Sequence, residues 1–240
     1  MTITSHLSAA SATADTDSIE LVVLDMAGTT VIDDGIVEQA FERAARRVGL
    51  DRMRPLEESL QYVRDTMGQS KIEVFRHLTG GDEIAAHAAN EAFEAAYAEL
   101  IDEVGVDAIP GAAETIVALR SNGYRVALTT GFSPETRDAV LARLGWEVDA
   151  VLSPADAGRG RPAPDLVLAA LIATGASSVA SVIVVGDTTS DVRSGRNAGA
   201  GLVIGVMTGA HSREQLDAAG ADLVLDSVRD LLALPQLAGR

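Results

Sequence analysis

The chain has 240 residues, 47% of them apolar, no Cys, and a formal net charge of −16. That length can bury one sizeable core, or a core with a smaller insert. The charge argues against nucleic acid and anionic membrane surfaces as partners, so an anionic substrate would need a metal ion or placed Arg and Lys side chains. The lack of Cys excludes disulfides, thiolate catalysis and Cys-ligated metal, and suits a cytoplasmic protein.

Residues 1–17 are rich in Ser, Thr and Ala, with neither a basic start nor an apolar h-region. A disordered tail is expected there, not a secretory signal. No apolar run approaches the roughly 20 residues that span a bilayer. The first buried strand reads over 21–24 and delivers Asp25 at its end, in the run Asp25-Met26-Ala27-Gly28-Thr29-Thr30. A carboxylate at the C-terminal edge of a parallel strand, followed by small residues, is well placed as a nucleophile. Enzymes that attack phosphate this way usually carry a second Asp two residues on, to protonate the leaving oxygen, but here that position is Ala27.

The pattern then turns helical over 37–48, 56–66, 70–78 and 83–103, with no strand among them. Residues 34–106 are therefore expected to form a helical cap inserted into an α/β core made of 18–33 and 107–240. From Pro110 onward, strands over 125–129, 150–152, 182–185 and 202–206 alternate with helices over 111–121, 134–144 and 164–174. Ser133 before Pro134 is a good N-cap with proline at the first helical position. Alternation of this kind predicts a parallel sheet with helices on both faces.

Ligands of an open α/β sheet bind at the C-terminal ends of its strands. Those ends here carry Asp25, then Thr130 and Gly131, then Arg159 and Arg161, then Asp187 and Asp191. Three carboxylates in one crevice disfavour joint ionisation. A hard cation relieves the conflict, and all-oxygen ligands beside a phosphoryl group point to Mg²⁺. Thr130 is suited to donate a hydrogen bond to a phosphoryl oxygen, Gly131 to admit backbone N–H groups, and Arg161 to neutralise the charge.

Together the motifs Asp-Met-Ala-Gly-Thr, Thr-Thr-Gly, Gly-Arg-Pro-x-Pro and Gly-Asp-Thr-x-Ser-Asp, in this order, resemble the haloacid dehalogenase superfamily. The resemblance implies a Rossmann-like core, a helical cap of the C1 type after the first strand, an aspartyl nucleophile and Mg²⁺. Ala27 and Arg161 stand where most members have Asp and Lys, and both replacements are similar to phosphonoacetaldehyde hydrolase (phosphonatase). So is the run Met67-Gly68-Gln69-Ser70-Lys71-Ile72. This resemblance implies C–P cleavage of phosphonoacetaldehyde through a Schiff base on Lys71, with Asp25 attacking phosphorus. It further implies that Asp25, Asp187 and the Ala27 carbonyl hold Mg²⁺ with Asp191 behind them, and that Met67, Thr130, Gly131 and Arg161 contact the substrate. A homodimer formed through the cap is implied as well.

Lys71 falls on the apolar face of its helix with Val74, Phe75 and Leu78. An unperturbed lysine has a pKa near 10.4, so only about one in a thousand is neutral at pH 7.4, and a mostly neutral amine needs a fall of about 3 units. Burial can supply a shift of that order. The family usually has His three residues after this Lys and Tyr after its second motif. Here those positions are Val74 and Phe132, and His77 falls on the opposite helix face. An ordinary phosphate-ester phosphatase or phosphomutase of the same superfamily is the alternative reading.

Overall fold

In the computed structural model, residues 19–237 are described, so the tail expected over 1–17 lies outside the described residues. Six parallel strands, β1 (Leu21–Asp25), β2 (Arg125–Thr129), β3 (Ala150–Leu152), β4 (Val182–Gly186), β5 (Leu202–Val206) and β6 (Leu223–Leu225), form one sheet in the order β3-β2-β1-β4-β5-β6. The β1 and β4 strands are buried along their whole length, as near-continuous Val and Leu runs require when both sheet faces are covered. The strand order reverses at β1, which pairs with β2 on one side and β4 on the other, and this switch point opens a crevice beyond its C-terminal end.

Between β1 and the core stand α1 (Ile36–Val48), α2 (Leu56–Asp65), α3 (Lys71–Leu78) and α4 (Glu83–Val104). Phe41, Phe75 and Phe93 are buried where α1, α3 and α4 meet, with Phe41 and Phe75 stacked at 4.8 Å. The two crossings into and out of these helices run side by side. Ile32 N–H donates to the Asp107 carbonyl at 2.9 Å, and Ile109 N–H donates to the Thr30 carbonyl at 2.9 Å. On the way in, Asp34 has φ 27° and Gly35 φ 76°, a left-handed turn that glycine accommodates without strain.

After the insert come α5 (Ala112–Ser121), α6 (Pro134–Leu144), α7 (Pro154–Ala157), α8 (Asp165–Thr174), α9 (Thr189–Ala198) and α10 (Arg213–Ala219). Ser133 caps α6 as expected, accepting from Thr136 N–H at 3.2 Å. The sequence pattern marks five strands, and β6 is the addition. It has three residues, all partly exposed, and like the equally short β3 it lacks the continuous buried run of β1 and β4.

Candidate active site

Asp25 ends β1 and Asp187 follows β4, so the pairing of these strands brings both carboxylates to one edge of the sheet. Asp191 sits in the first turn of α9, where its side chain and that of Thr188 form a reciprocal capping box. Carboxylate oxygens of Asp25, Asp187 and Asp191 lie within 4.8 Å of one another, and all three residues are buried. Burial pushes the Asp25 carboxyl up to about 7, with Arg161 opposing and Asp191 adding to the rise. Burial also raises Asp187 well above the ordinary range, helped by the charges of Asp25 and Asp191.

Each carboxylate is fixed by donors from elsewhere in the fold. Thr29 Oγ1 donates to Asp187 Oδ1 at 2.9 Å, and Ala210 N–H donates to Oδ2 at 2.9 Å. Two glycines make room for it. A Cβ at Gly28 would lie 2.5 Å from Asp187 Oδ2, and one at Gly209 would lie 2.0 Å from it. Thr208 Oγ1 donates to the Gly28 carbonyl at 2.7 Å, which ties the turn after β5 to the turn after β1. His211 Nδ1 accepts from Thr189 N–H at 2.8 Å and so holds the start of α9.

Arg161 is 5% exposed. Its Nη1 donates to Asp25 Oδ1 at 2.6 Å and also to Asp191 Oδ1. Its Nε and Nη2 are buried and have no partner. Buried guanidinium donors without partners are costly, and such a planar pair is suited to the oxygens of a phosphoryl group. Arg159, the other arginine at this strand end, is turned outward and paired with Asp165 at 2.7 Å.

A cavity of about 300 Å³ joins Asp25, Ala27, Thr130, Gly131, Arg161 and Asp187 from the core with Met67 and Lys71 from the helical insert. All the residues expected at the site thus line one space, apart from Asp191, which accepts from Arg161. Thr130 Oγ1 accepts from Phe132 N–H at 3.2 Å, leaving its hydroxyl proton available. Lys71 is the first residue of α3 and is buried together with Val74, Phe75 and Leu78. Its Nζ lies 5.7 Å from the centre of the Phe93 ring and 5.8 Å from that of Phe132. Burial lowers its pKa, and Arg161 adds to the fall, while Asp33, Glu94 and Asp25 oppose it.

Asp33, Thr208 and Gly209 also line this space and lie outside the sequence motifs, while Thr29, which donates to Asp187, falls within the first motif. Asp33 lines the cavity and accepts from Val37 N–H at 3.0 Å, which anchors the start of α1. Its signal is a polar residue at the crossing into the insert. Gly209 has a comparable signal, in a small polar turn directly after β5.

The donor set suits a hard divalent cation, since three buried carboxylates lie together and Arg161 pairs with only two of them, Asp25 and Asp191. A family model for haloacid dehalogenase-like hydrolases matches residues 19–199. A phosphonoacetaldehyde hydrolase of Bacillus cereus is 32% identical, with 80% of this chain and 77% of that protein aligned. One from Parabacteroides distasonis is 28% identical over 88% of this chain and 94% of its own length. The chain spans only 31% of a bifunctional phosphonoacetaldehyde hydrolase/aminoethylphosphonate transaminase of Clostridioides difficile, to which it is 32% identical over 76% of its own length. A crystal structure of a phosphonoacetaldehyde hydrolase-like protein from Oleispira antarctica superimposes with a TM-score of 0.77 at 24% identity, covering 90% of this chain and 91% of that one. The chain belongs to the haloacid dehalogenase-like hydrolase family, in its phosphonatase-like branch. It is an α/β hydrolase with a Rossmann-like core, and among the described residues no helix is long and apolar enough to cross a membrane.

Proposed function

We propose that this enzyme hydrolyses the C–P bond of phosphonoacetaldehyde, giving acetaldehyde and phosphate. The observation that carries the reading is a buried Lys71 amine opening onto the same cavity as Asp25, beside the methyl of Ala27. A buried, unpaired lysine is the group needed to condense with an aldehyde, and a phosphate-ester phosphatase has no use for it. It also explains why Ala27 is tolerable. When an iminium accepts the electrons of the breaking bond, an enamine departs and no leaving oxygen needs a proton.

In this reading Arg161 Nε and Nη2 and the Thr130 hydroxyl bind the phosphoryl oxygens, with Gly131 giving close approach and Met67 packing on the carbon end. The Lys71 amine adds to the aldehyde, and loss of water leaves the iminium. Asp25 Oδ attacks phosphorus, the P–C bond breaks, and its electron pair forms the enamine. The enamine carbon takes a proton, and water then releases acetaldehyde and restores Lys71. A second water releases phosphate from Asp25. Asp25, Asp187 and the Ala27 carbonyl would hold Mg²⁺, with Asp191 behind them, and the ion supplies charge neutralisation between the carboxylates and the phosphoryl oxygens.

A coupled assay for phosphate and acetaldehyde release tests this on wild type and Lys71→Arg. Wild type is expected to release both products with Mg²⁺, to lose activity irreversibly when borohydride is added with substrate, and to carry the label on Lys71. Lys71→Arg is expected to be inactive. Turnover with Lys71 unlabelled, or a clear preference for phosphate esters, overturns the reading.

A further inference from the structure

The apolar walls around the Lys71 amine come from two different parts of the chain. Phe93 belongs to α4 of the insert, and Phe132 to the core turn after β2. The residues next to these two phenylalanines are joined to each other. Glu94 accepts from Ser133 Oγ at 2.8 Å and from Ser133 N–H at 3.4 Å, and it also accepts from the Thr136 hydroxyl. Thr136 lies in the first turn of α6, so the Glu94 carboxylate sits at that helix's N-terminus, where a negative charge is favoured.

We propose that Glu94 is a positioning residue: by latching α4 to the Phe132–Ser133 turn, it assembles the two-ring niche in which the Lys71 amine sits. The inference rests on the assignment of Lys71 as the imine-forming residue. Without the latch, Phe132 and Phe93 are free to separate, and water reaches the amine between them.

The charged groups facing Lys71 are Asp25 from β1, Asp33 at the crossing into α1, Glu94 from α4, and Arg161 from the loop before α8. This gives the test an unambiguous sign. The Glu94 charge by itself favours the ammonium form, so deleting that charge alone lowers the Lys71 pKa. Deleting the latch admits water and raises it, because burial is the largest influence on this amine.

The measurement is the pH dependence of acetic anhydride labelling at Lys71, read by peptide mass spectrometry on the full chain without substrate, beside kcat/KM for phosphonoacetaldehyde. Glu94→Ala is expected to raise the labelling midpoint and lower kcat/KM at least tenfold. Glu94→Gln keeps an oxygen acceptor for the two hydroxyls, so its midpoint is expected to stay or fall and its activity to remain within a few fold. Thr136→Val deletes one latch hydroxyl at constant size. It is expected to shift the midpoint upward by less than Glu94→Ala, and to add little to Glu94→Ala in the double variant. If Glu94→Ala does not fold, Thr136→Val carries the same sign. A midpoint that falls or stays in Glu94→Ala, or that stays in Thr136→Val should Glu94→Ala not fold, overturns the latch. Because labelling needs no turnover, a wild type that ignores phosphonoacetaldehyde while the midpoint still shifts sinks the substrate reading and leaves the latch standing.

Discussion

Arg161 and Asp25 are joined by a hydrogen bond of 2.6 Å inside the protein, with side chains only 3% and 7% exposed. The same Nη1 reaches Asp191, so one nitrogen bridges two carboxylates while two other donor atoms of the guanidinium stay free. Arg161→Met would leave those carboxylates without their cationic partner and remove the two free donors. Each hydrogen bond to a charged group contributes about 1.5–3 kcal/mol, so kcat/KM is expected to fall by about 10²-fold or more. Arg161→Lys is expected to rescue little, because a point charge cannot bridge two carboxylates and still present two donors. Steady-state kinetics and a phosphate-binding titration of both variants check this.

The raised carboxyl of Asp25 makes stability depend on pH in a definite direction. Its folded pKa is about 7 against an ordinary 3.8, so the folded protein holds a proton that the unfolded chain releases. That contribution is fully present below about pH 3.8 and is lost as the pH rises through about 7. Asp187 shifts in the same direction. In EDTA, the melting temperature is therefore expected to fall between pH 4 and pH 7 beyond what the exposed groups explain. Added Mg²⁺ binds the ionised form and stabilises by mass action, so its effect is expected to be small at pH 5 and large at pH 8. Thermal melts across pH with and without Mg²⁺ measure both slopes, and a Mg²⁺ effect independent of pH would count against Asp25 as a ligand.

How far the sequence reveals this site depends on where each residue's physical cause lies. Asp25, Thr130 and Asp187 are legible because a strand end fixes them, and buried strands such as Leu21–Asp25 announce themselves by continuous apolar runs. Lys71 is legible from the 3.6-residue period that puts it with Val74, Phe75 and Leu78. Arg161 is preferred to Arg159 only through the Gly160-Arg161-Pro162 resemblance, because the residues alone do not show which side chain faces the carboxylates once β1 and β4 are paired. Glu94 is equally hidden. Its partners Ser133 and Thr136 lie about forty residues away, and only the packing of α4 against α6 joins them. The short β6 strand escapes because three partly exposed residues are too few to show a period.

Burying the Lys71 amine lowers stability. Burial depresses its pKa, so the unfolded chain binds a proton more readily than the folded one. The cost is full at low pH and disappears as the pH rises toward the ordinary value of 10.5. Lys71→Met keeps the apolar stem and removes the charge. It is expected to abolish turnover and to gain on the order of 1 kcal/mol at pH 7, a rise in melting temperature of about 2–4 °C for a chain of this size. The gain should shrink between pH 7 and pH 10. A lysine that instead stabilises the fold, so that Lys71→Met melts lower at every pH, would contradict the burial argument.

Two glycines sit one at the acidic cluster and one at the seat of the helical insert, and substituting each should damage mainly one of them. At Gly209 a new Cβ would lie 2.0 Å from Asp187 Oδ2, so Gly209→Ala must displace that carboxylate. At Gly68, with φ +83°, a new Cβ would lie 2.3 Å from Thr188 Oγ1, so Gly68→Ala must shift either that hydroxyl or the run that carries Met67 and Lys71. Gly209→Ala is expected to raise the Mg²⁺ concentration for half-maximal activity about tenfold or more, since even outer-shell changes at metal sites cost about 10–100-fold. Gly68→Ala is expected to raise that Mg²⁺ requirement less than Gly209→Ala does, because the Thr188 hydroxyl it meets holds Asp191 rather than Asp187, and to lower kcat/KM by about 10²-fold, because misplacing reacting groups by about 1 Å costs that much. Mg²⁺ titrations of both variants at saturating substrate, beside their kcat/KM, separate the two effects. If Gly68→Ala instead moved the Mg²⁺ requirement as far as Gly209→Ala does, the seat of the insert and the acidic cluster would be one coupled unit rather than two.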